Sequence, residues 1–273
     1  MTLLIDKNYW NNQDDYQHSS SFSSKNHSLG ENLQIDQHIS RKYNEELEDL
    51  RSKVMTMGGM VEKQCKNALR SLIKGDSSLA ETVATSDYRI NSIEVEIDAE
   101  CTDILARRQP AASDLRMILT VIKTISDLER IGDEAEKIGR FALKLANSQE
   151  PQSYYSDLLH LGEHVIEMLH GALDAFTRMD VEAAIRVAGR DPEIDQEFES
   201  LTRMLITHMM EDPREVKNVL RLNWCARSLE RIGDHSTNIC EYVIYLVKGH
   251  DVRHVSLEQI REQYSSGKDQ GNL

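Results

Sequence analysis

The amino-acid sequence predicts an all-α protein built of two tandem, symmetry-related antiparallel three-helix bundles. Three observations predict it: apolar residues keep a helical period through most of the chain, chain breakers are few, and one hexapeptide occurs twice. Only 4 prolines and 13 glycines occur among 273 residues, too few for the many turns of a β-sandwich or barrel. Long helices joined by short connections are typical of antiparallel bundles.

The apolar period predicts six helices, because it is interrupted at residues 74–76, 109–110, 147–153, 179–180 and 212–213, most of which contain Gly or Pro. The predicted helices cover residues 41–74, 77–108, 112–146, 154–178, 181–210 and 214–248. Polar sequence without a period flanks them, which indicates a disordered tail before the helices and a polar tail after them. We therefore predict a disordered tail, a first bundle, a second bundle and a polar tail over residues 1–38, 39–148, 149–250 and 251–273.

Charge and cysteine usage restrict the class of protein. The 32 basic and 46 acidic residues give a formal charge of −14, which disfavours binding to nucleic acid. The first residues lack the pattern of a signal peptide, and no apolar run is long enough to insert into a membrane. Four cysteines occur without a CxxC pair, which is typical of reduced thiols in a cytoplasmic protein.

The hexapeptide LERIGD occurs at residues 128–133 and again at residues 229–234, a shift of 101 positions. Upstream, Asp87 and Ile90 match Asp191 and Ile194 at a shift of 104. Helices one to three and helices four to six are therefore predicted to be the same unit twice.

Each hexapeptide places a glutamate and an aspartate four residues apart, on one face of a helix. These pairs are Glu129 with Asp133 and Glu230 with Asp234. Like charges at this spacing and a mid-helix glycine both destabilise a helix, the glycine by about 1 kcal/mol. Two interpretations remain open from spacing alone: a face that binds a hard cation, with glycine permitting close approach, or a plain solvated polar face.

A second acidic strip favours the cation. Asp87 and Asn91 share a face of the second predicted helix, and Asp191 and Asp195 occupy the matching positions of the fifth. If the adjacent helices pack antiparallel, each strip meets one hexapeptide. Oxygen ligands without imidazole or thiolate suit Mg²⁺, Mn²⁺, Ca²⁺ or iron rather than a structural zinc.

Enzyme motifs are weak by comparison. Residues 160–164 spell HxxEH and residues 167–170 spell ExxH, but neither has a counterpart in the other half, and a di-iron carboxylate bundle needs two ExxH motifs. A metal-dependent phosphoesterase or di-metal carboxylate enzyme remains the alternative to a regulatory protein.

Several segments together resemble the PhoU family. They are the duplicated LERIGD, residues 106–116 (ARRQPAASDLR), residues 55–62 (MTMGGMVE), residues 209–212 (MMED) and residues 251–255 (DVRHV). The resemblance extends from about residue 35 to residue 255.

The resemblance implies a cytoplasmic, usually dimeric regulator that is not an enzyme. It implies repression of the phosphate-starvation regulon, with the ATPase subunit of the phosphate ABC transporter and the sensor histidine kinase of the regulon as partners. It also implies multinuclear clusters of Mg, Mn, Fe or Zn at E/D-x-x-x-D motifs. Here those motifs are Glu129/Asp133, Glu230/Asp234 and Asp191/Asp195.

The sequence departs from the family pattern in three places. Asn91 replaces a carboxylate, which is expected to weaken the first-half site. Pro192 follows Asp191, so helix five either kinks there or restarts with Asp191 as its N-cap. Residues 1–34 exceed the short N-terminus usual in the family, and no role is assigned to them.

Overall fold

The structure is a computed structural model that describes residues 29–146 and 152–253, together with Val255 and Gln259. Within these residues the secondary structure is helical, without strands. The helices are α1 (Leu29–Lys74), α2 (Ser77–Thr85), α3 (Tyr88–Arg108), α4 (Ala112–Leu145), α5 (Gln152–Arg178), α6 (Val181–Ala188), α7 (Asp191–Glu211) and α8 (Val216–Lys248). The predicted all-α class with two tandem three-helix bundles is confirmed. None of the helices, over the part of the chain that is described, is long and apolar enough to cross a membrane.

Two of the six predicted helices differ from prediction because each is interrupted once. The predicted helix 77–108 is divided into α2 and α3, and the predicted helix 181–210 into α6 and α7. The second interruption follows from Pro192, which lies in the first turn of α7, where its missing N–H is not needed. Asp191 is the first residue of α7 and Arg190 its N-cap, so the helix restarts, but not with Asp191 as the cap.

The predicted tails also require correction at their inner ends. Helix α1 begins at Leu29, so the predicted disordered tail is too long by residues 29–38. This segment has no proline and contains glutamate, glutamine and leucine, which favour a helix despite its polarity. Residues 1–28 and 147–151, with the predicted boundary at residue 148, lie outside the described residues. At the other end, Val252 of the predicted polar tail is buried.

The described residues from Tyr43 onward belong to one compact unit, and the start of α1, up to Lys42, belongs to another. Within the unit that begins at Tyr43, the sequence repeat is visible as repeated local structure. Asp76 caps α2 by accepting the backbone N–H of Leu79 at 3.0 Å, and Asp180 caps α6 by accepting that of Ala183 at 2.9 Å. Such caps each contribute about 1 kcal/mol. Each half thus has one aspartate cap and one helix interruption, and both lie at equivalent positions.

Helices α4 and α8 form the central pair, and their apolar faces supply much of the core. Fully buried side chains such as Leu128, Ile131 and Ile232 each contribute roughly 1.5–3 kcal/mol relative to exposure. Across this pair, His235 Nδ1 lies 2.7 Å from Asp127 Oδ1, and Ser228 donates to Glu134 at 2.8 Å. Ser228 is equivalent to Asp127, and His235 to Glu134, at the shift of 101. The two contacts therefore join the same pair of equivalent positions in opposite directions, as a pseudo-two-fold axis between α4 and α8 requires.

Candidate metal centres

The first-half cluster forms where α3 begins beside the middle of α4. Carboxylate oxygens of Asp87, Asp133 and Glu136 all lie within 4.8 Å of one another. Asp87 is buried, at 7% exposure, and its Oδ1 accepts no hydrogen bond. The predicted meeting of Asp87 with Asp133 is therefore present, and Glu136 joins them.

Close packing of α3 on α4 depends on the glycine of the hexapeptide. A Cβ on Gly132 would lie 3.1 Å from Asp87 Oδ1 and 3.1 Å from Ile90 Cδ1. Most real Cβ atoms do not approach other atoms so closely, so a side chain at this position would displace the Asp87 and Ile90 side chains by a few tenths of an ångström. The mid-helix glycine is thus explained by proximity to a candidate ligand.

Burial and mutual repulsion disfavour the charged forms of the first-half carboxylates. The pKa of Asp87 is raised by burial, opposed by Asn91, and raised further by Asp133 and Glu136. The pKa of Glu129 is raised by burial and then by the charge of Asp133. Glu129, Asp133 and Asn91 thus all interact electrostatically or by hydrogen bonding with Asp87. Arg140 pairs with Glu136 at the outer edge of the cluster.

The second-half cluster forms where α7 begins beside α8. Burial raises the pKa of Glu230 to about 7, and the charges of Asp234, Asp195 and Asp191 raise it while Arg227 lowers it. The pKa of Asp234 is raised by burial and by Asp195, and that of Asp191 by burial despite a hydrogen bond from Thr237. All four predicted carboxylates of this half therefore act on one another.

Two side chains already occupy carboxylate oxygens in the second-half cluster. Arg227 donates to Glu230 Oε1 at 2.6 Å, and Thr237 donates to Asp191 Oδ1 at 3.0 Å. The other oxygen of Glu230, Oε2, is buried and accepts no hydrogen bond. The charges of the predicted residues act on one another here too, but no three carboxylates in the described part of this half have oxygens that all lie within 4.8 Å of one another.

Sequence reasoning missed Glu136 and Thr237, which are equivalent at the 101-residue shift. Glu136 lies seven residues after Glu129 and three after Asp133, so helical spacing places it on the same face. Extending each hexapeptide by three residues would have found both. With them, each half has four carboxylates and one neutral oxygen donor, Asn91 in the first half and Thr237 in the second.

The chemistry of the donor set fits a hard cation. Buried carboxylate oxygens without a hydrogen-bond donor, as in Asp87 and Glu230, are unfavourable unless a cation compensates them. All the converging donors are oxygens, which are the ligands of Mg²⁺, Ca²⁺ and Mn²⁺. Fold and site together define a class: a duplicated three-helix-bundle protein with one oxygen-rich candidate metal face in each half.

Comparison with known proteins assigns this class to a family. The family model described as PhoU domain matches residues 54–142 and 158–243. The phosphate-specific transport system accessory protein PhoU homolog of Pseudomonas aeruginosa is 50% identical over 234 residues, 86% of this chain and 97% of that protein. PhoU of Escherichia coli is 48% identical over 239 residues, 88% of this chain and 98% of that protein.

Solved structures agree. The crystal structure of PhoU from Pseudomonas aeruginosa has a TM-score of 0.74 at 51% identity and covers 76% of this chain and 100% of that one. The phosphate transport system regulatory protein PhoU from Streptococcus pneumoniae has a TM-score of 0.72 at 31% identity, covering 77% and 99%. The chain belongs to the PhoU family.

Proposed function

We propose that the protein is a negative regulator of the phosphate-starvation response and a modulator of phosphate uptake. In this proposal it acts in the cytoplasm as a homodimer and links the ATPase subunit of the phosphate ABC transporter to the sensor histidine kinase of the regulon. One observation carries the proposal: relatives that bear the name of phosphate-specific transport accessory protein align with this chain over nearly their whole length.

Charge supports regulation through protein contacts rather than at the promoter. At a formal charge of −14, the protein repels the phosphate backbone of DNA. Long rigid helices instead offer extended side-chain surfaces that lose little conformational entropy when a partner binds. Repression is therefore expected to operate upstream of transcription.

We also infer that each carboxylate cluster binds divalent or trivalent cations of the Mg, Mn, Fe or Zn type. The ligands would be Glu129, Asp133, Asp87 and Asn91, joined by Glu136, in the first half, and Glu230, Asp234, Asp191 and Asp195 in the second. A cation there neutralises mutually repelling carboxylates and holds the start of α3 or α7 against the central helices. Its proposed contribution is structural, and the protein is proposed not to be an enzyme.

The test is a strain that lacks this protein and carries a starvation-responsive reporter. We expect high reporter output in phosphate-rich medium, and restored repression on complementation with the wild type. A variant with amides in place of the hexapeptide carboxylates (Glu129→Gln, Asp133→Asn, Glu230→Gln, Asp234→Asn) tests the metal faces. The matched control is Glu193→Gln with Glu199→Gln, because both of these carboxylates are exposed on α7.

Three results would contradict the proposal. They are unchanged reporter output in the deletion strain, binding of the purified protein to promoter DNA at physiological salt, and turnover of generic phosphoesters with Mn²⁺. Equal cation uptake by the wild type and the four-amide variant would contradict the metal assignment alone.

A further inference from the structure

Helices α1 and α5 pack against each other with the same pseudo-two-fold relation as α4 and α8. A Cβ on Gly58 would lie 2.7 Å from Leu173, and a Cβ on Gly162 would lie 2.6 Å from Leu69. Residues 58 and 162, and residues 69 and 173, are equivalent at the shift of 104. The two ends of the α1–α5 pair therefore make equivalent glycine–leucine contacts. The side chains around these contacts differ between the ends.

At the Gly58 end, side chains bridge the two helices. Arg51 donates to the Thr177 carbonyl at 2.6 Å, and the Thr177 hydroxyl lies 2.9 Å from Met55 Sδ. Glu62 and His170 add a contact at 3.2 Å. These contacts tie α1 to α5 at this end.

At the Gly162 end, the helices leave an open groove of about 610 Å³. Apolar and charged side chains line it. The apolar surface is formed by Leu69, Ile73, Leu159 and Ile166, the α1 wall carries Lys66, Arg70 and Lys74, and the α5 wall carries Glu163 and Glu167.

The two walls carry opposite charge, and much of it is uncompensated. Among the described residues, Arg70, Lys74 and Glu163 make no ion pair. Lys66 pairs with Glu62 on its own helix, and Glu167 pairs with Arg190. An occupant of this groove must therefore present an apolar stripe with carboxylates on one side and cations on the other.

We propose that the occupant is a second copy of this chain, docked through the same groove. In a two-fold dimer the same surface faces itself, so it must be self-complementary. With the two-fold axis parallel to the helices, the cationic α1 wall of each copy faces the acidic α5 wall of the other. The apolar surfaces then meet as two layers of two helices, as in a four-helix bundle. The inference rests on the homodimer of the proposed function and assigns its interface.

The charge pattern also fixes the orientation. A two-fold axis perpendicular to the helices, in the plane between the layers, would set each α1 wall against its own copy and bring like charges together. Two copies that each carry a net charge of −14 repel one another, so local pairing of opposite walls is needed at the contact.

The experiment uses the full-length protein and sedimentation velocity across micromolar concentrations. One variant makes both walls acidic (Arg70→Glu, Lys74→Glu), and a second makes both basic (Glu163→Lys, Glu167→Lys). Each variant alone is expected to dissociate at least tenfold more readily than the wild type, while circular dichroism shows unchanged helix content. An equimolar mixture is expected to form a one-to-one heterodimer, because its walls are again complementary.

Matched controls carry the same charge changes on exposed residues outside the groove, Arg186→Glu on α6 with Arg203→Glu on α7, and Glu193→Lys with Glu199→Lys on α7. These are expected to dimerise as the wild type does. A monomeric wild type, unchanged dimerisation of the two groove variants, or a mixture that stays monomeric overturns the assignment. Dimeric groove variants that lose repression would assign the groove to a different protein and equally overturn it. The reporter strain reads the regulatory role separately, so the two proposals fail distinguishably.

Discussion

The two carboxylate clusters occupy equivalent positions in the two halves, but different side chains contact their carboxylate oxygens. In the first half, Asp87 lies against Gly132 with an unpartnered buried oxygen, and three carboxylates converge within 4.8 Å. In the second half, Thr237 replaces the converging Glu136 and donates a hydrogen bond to Asp191. The repeated hexapeptide therefore does not make the two sites equivalent, because the residues that flank it decide which carboxylate oxygens are free to bind a cation.

The two halves also differ at two residues beside the carboxylates. Arg227 of the second half corresponds to Ser126, and Phe198 to Glu94. Arg227 lies over the Phe198 ring at 5.7 Å while it pairs with Glu230. In the second half the cation beside Glu230 is thus held in place by an aromatic ring, whereas in the first half Arg140 pairs with Glu136. The equivalent residues of the first half, Ser126 and Glu94, offer a hydroxyl and another carboxylate instead.

The largest expected effect is a pH dependence of folding stability that comes from Glu230. Its folded-state pKa of about 7 exceeds its usual value of 4.5, so the folded state binds a proton more tightly than the unfolded state. Stability from this group is therefore fully present below pH 4.5, falls as the pH rises through 7, and is lost above it. At about 1.4 kcal/mol per pKa unit, the loss is about 3 kcal/mol for a group only 8% exposed.

The measurement is urea unfolding of the protein in EDTA between pH 5 and pH 8.5, for the wild type and Glu230→Gln. The amide variant is expected to lose less stability over this range, by up to about 3 kcal/mol. Glu129→Gln, at the equivalent position, is the control for which we expect a smaller change. Parallel pH profiles for the wild type and Glu230→Gln would refute the prediction.

The next effect tests whether the residue three positions beyond each hexapeptide sets cation affinity. Glu136→Thr gives the first cluster the second cluster's side chain, and Thr237→Glu does the reverse. We expect Mn²⁺ affinity to fall roughly 10–100-fold at the first site in Glu136→Thr and to rise at the second in Thr237→Glu, since even residues that only support ligands change affinity by that much. Isothermal titration calorimetry measures both, with the exposed Glu199→Thr as control. Identical titrations for all three variants would exclude a role for this position.

Much of the fold was predictable because its signals are local. The helical period, the Gly and Pro positions and the 101-residue shift correctly predicted that residues 128–133 and 229–234 lie on equivalent helices, α4 and α8. The pairing of Asp87 with Asp133 also followed from spacing, once antiparallel neighbours were assumed.

The helix interruption before α3, the role of Glu136 and the start of α1 depend on tertiary contacts, which local sequence patterns do not reveal. The interruption before α3 has neither Gly nor Pro, only Ser86 and Asp87, so no strong breaker marked it. Glu136 was one acidic residue among several on an amphipathic helix until the start of α3 was placed beside it. The early start of α1 at Leu29 was hidden by a polar composition that disordered segments share.

The smallest expected effect separates the two hexapeptide glycines. A Cβ on Gly233 would make an ordinary contact, 3.5 Å from Ile194 Cγ2, whereas a Cβ on Gly132 would crowd both Asp87 Oδ1 and Ile90 at 3.1 Å. Alanine in a helix interior is favoured over glycine by about 1 kcal/mol, so Gly233→Ala is expected to stabilise the protein by up to that amount. In Gly132→Ala the crowding offsets this gain, which leaves a difference of about 1 kcal/mol between the variants. Urea unfolding in EDTA measures the difference, and Mn²⁺ titration should show weaker binding only in Gly132→Ala, because Asp87 is displaced. Equal stabilisation by both alanines, with unchanged Mn²⁺ binding, would show that the close approach of α3 to α4 is not what the glycine provides.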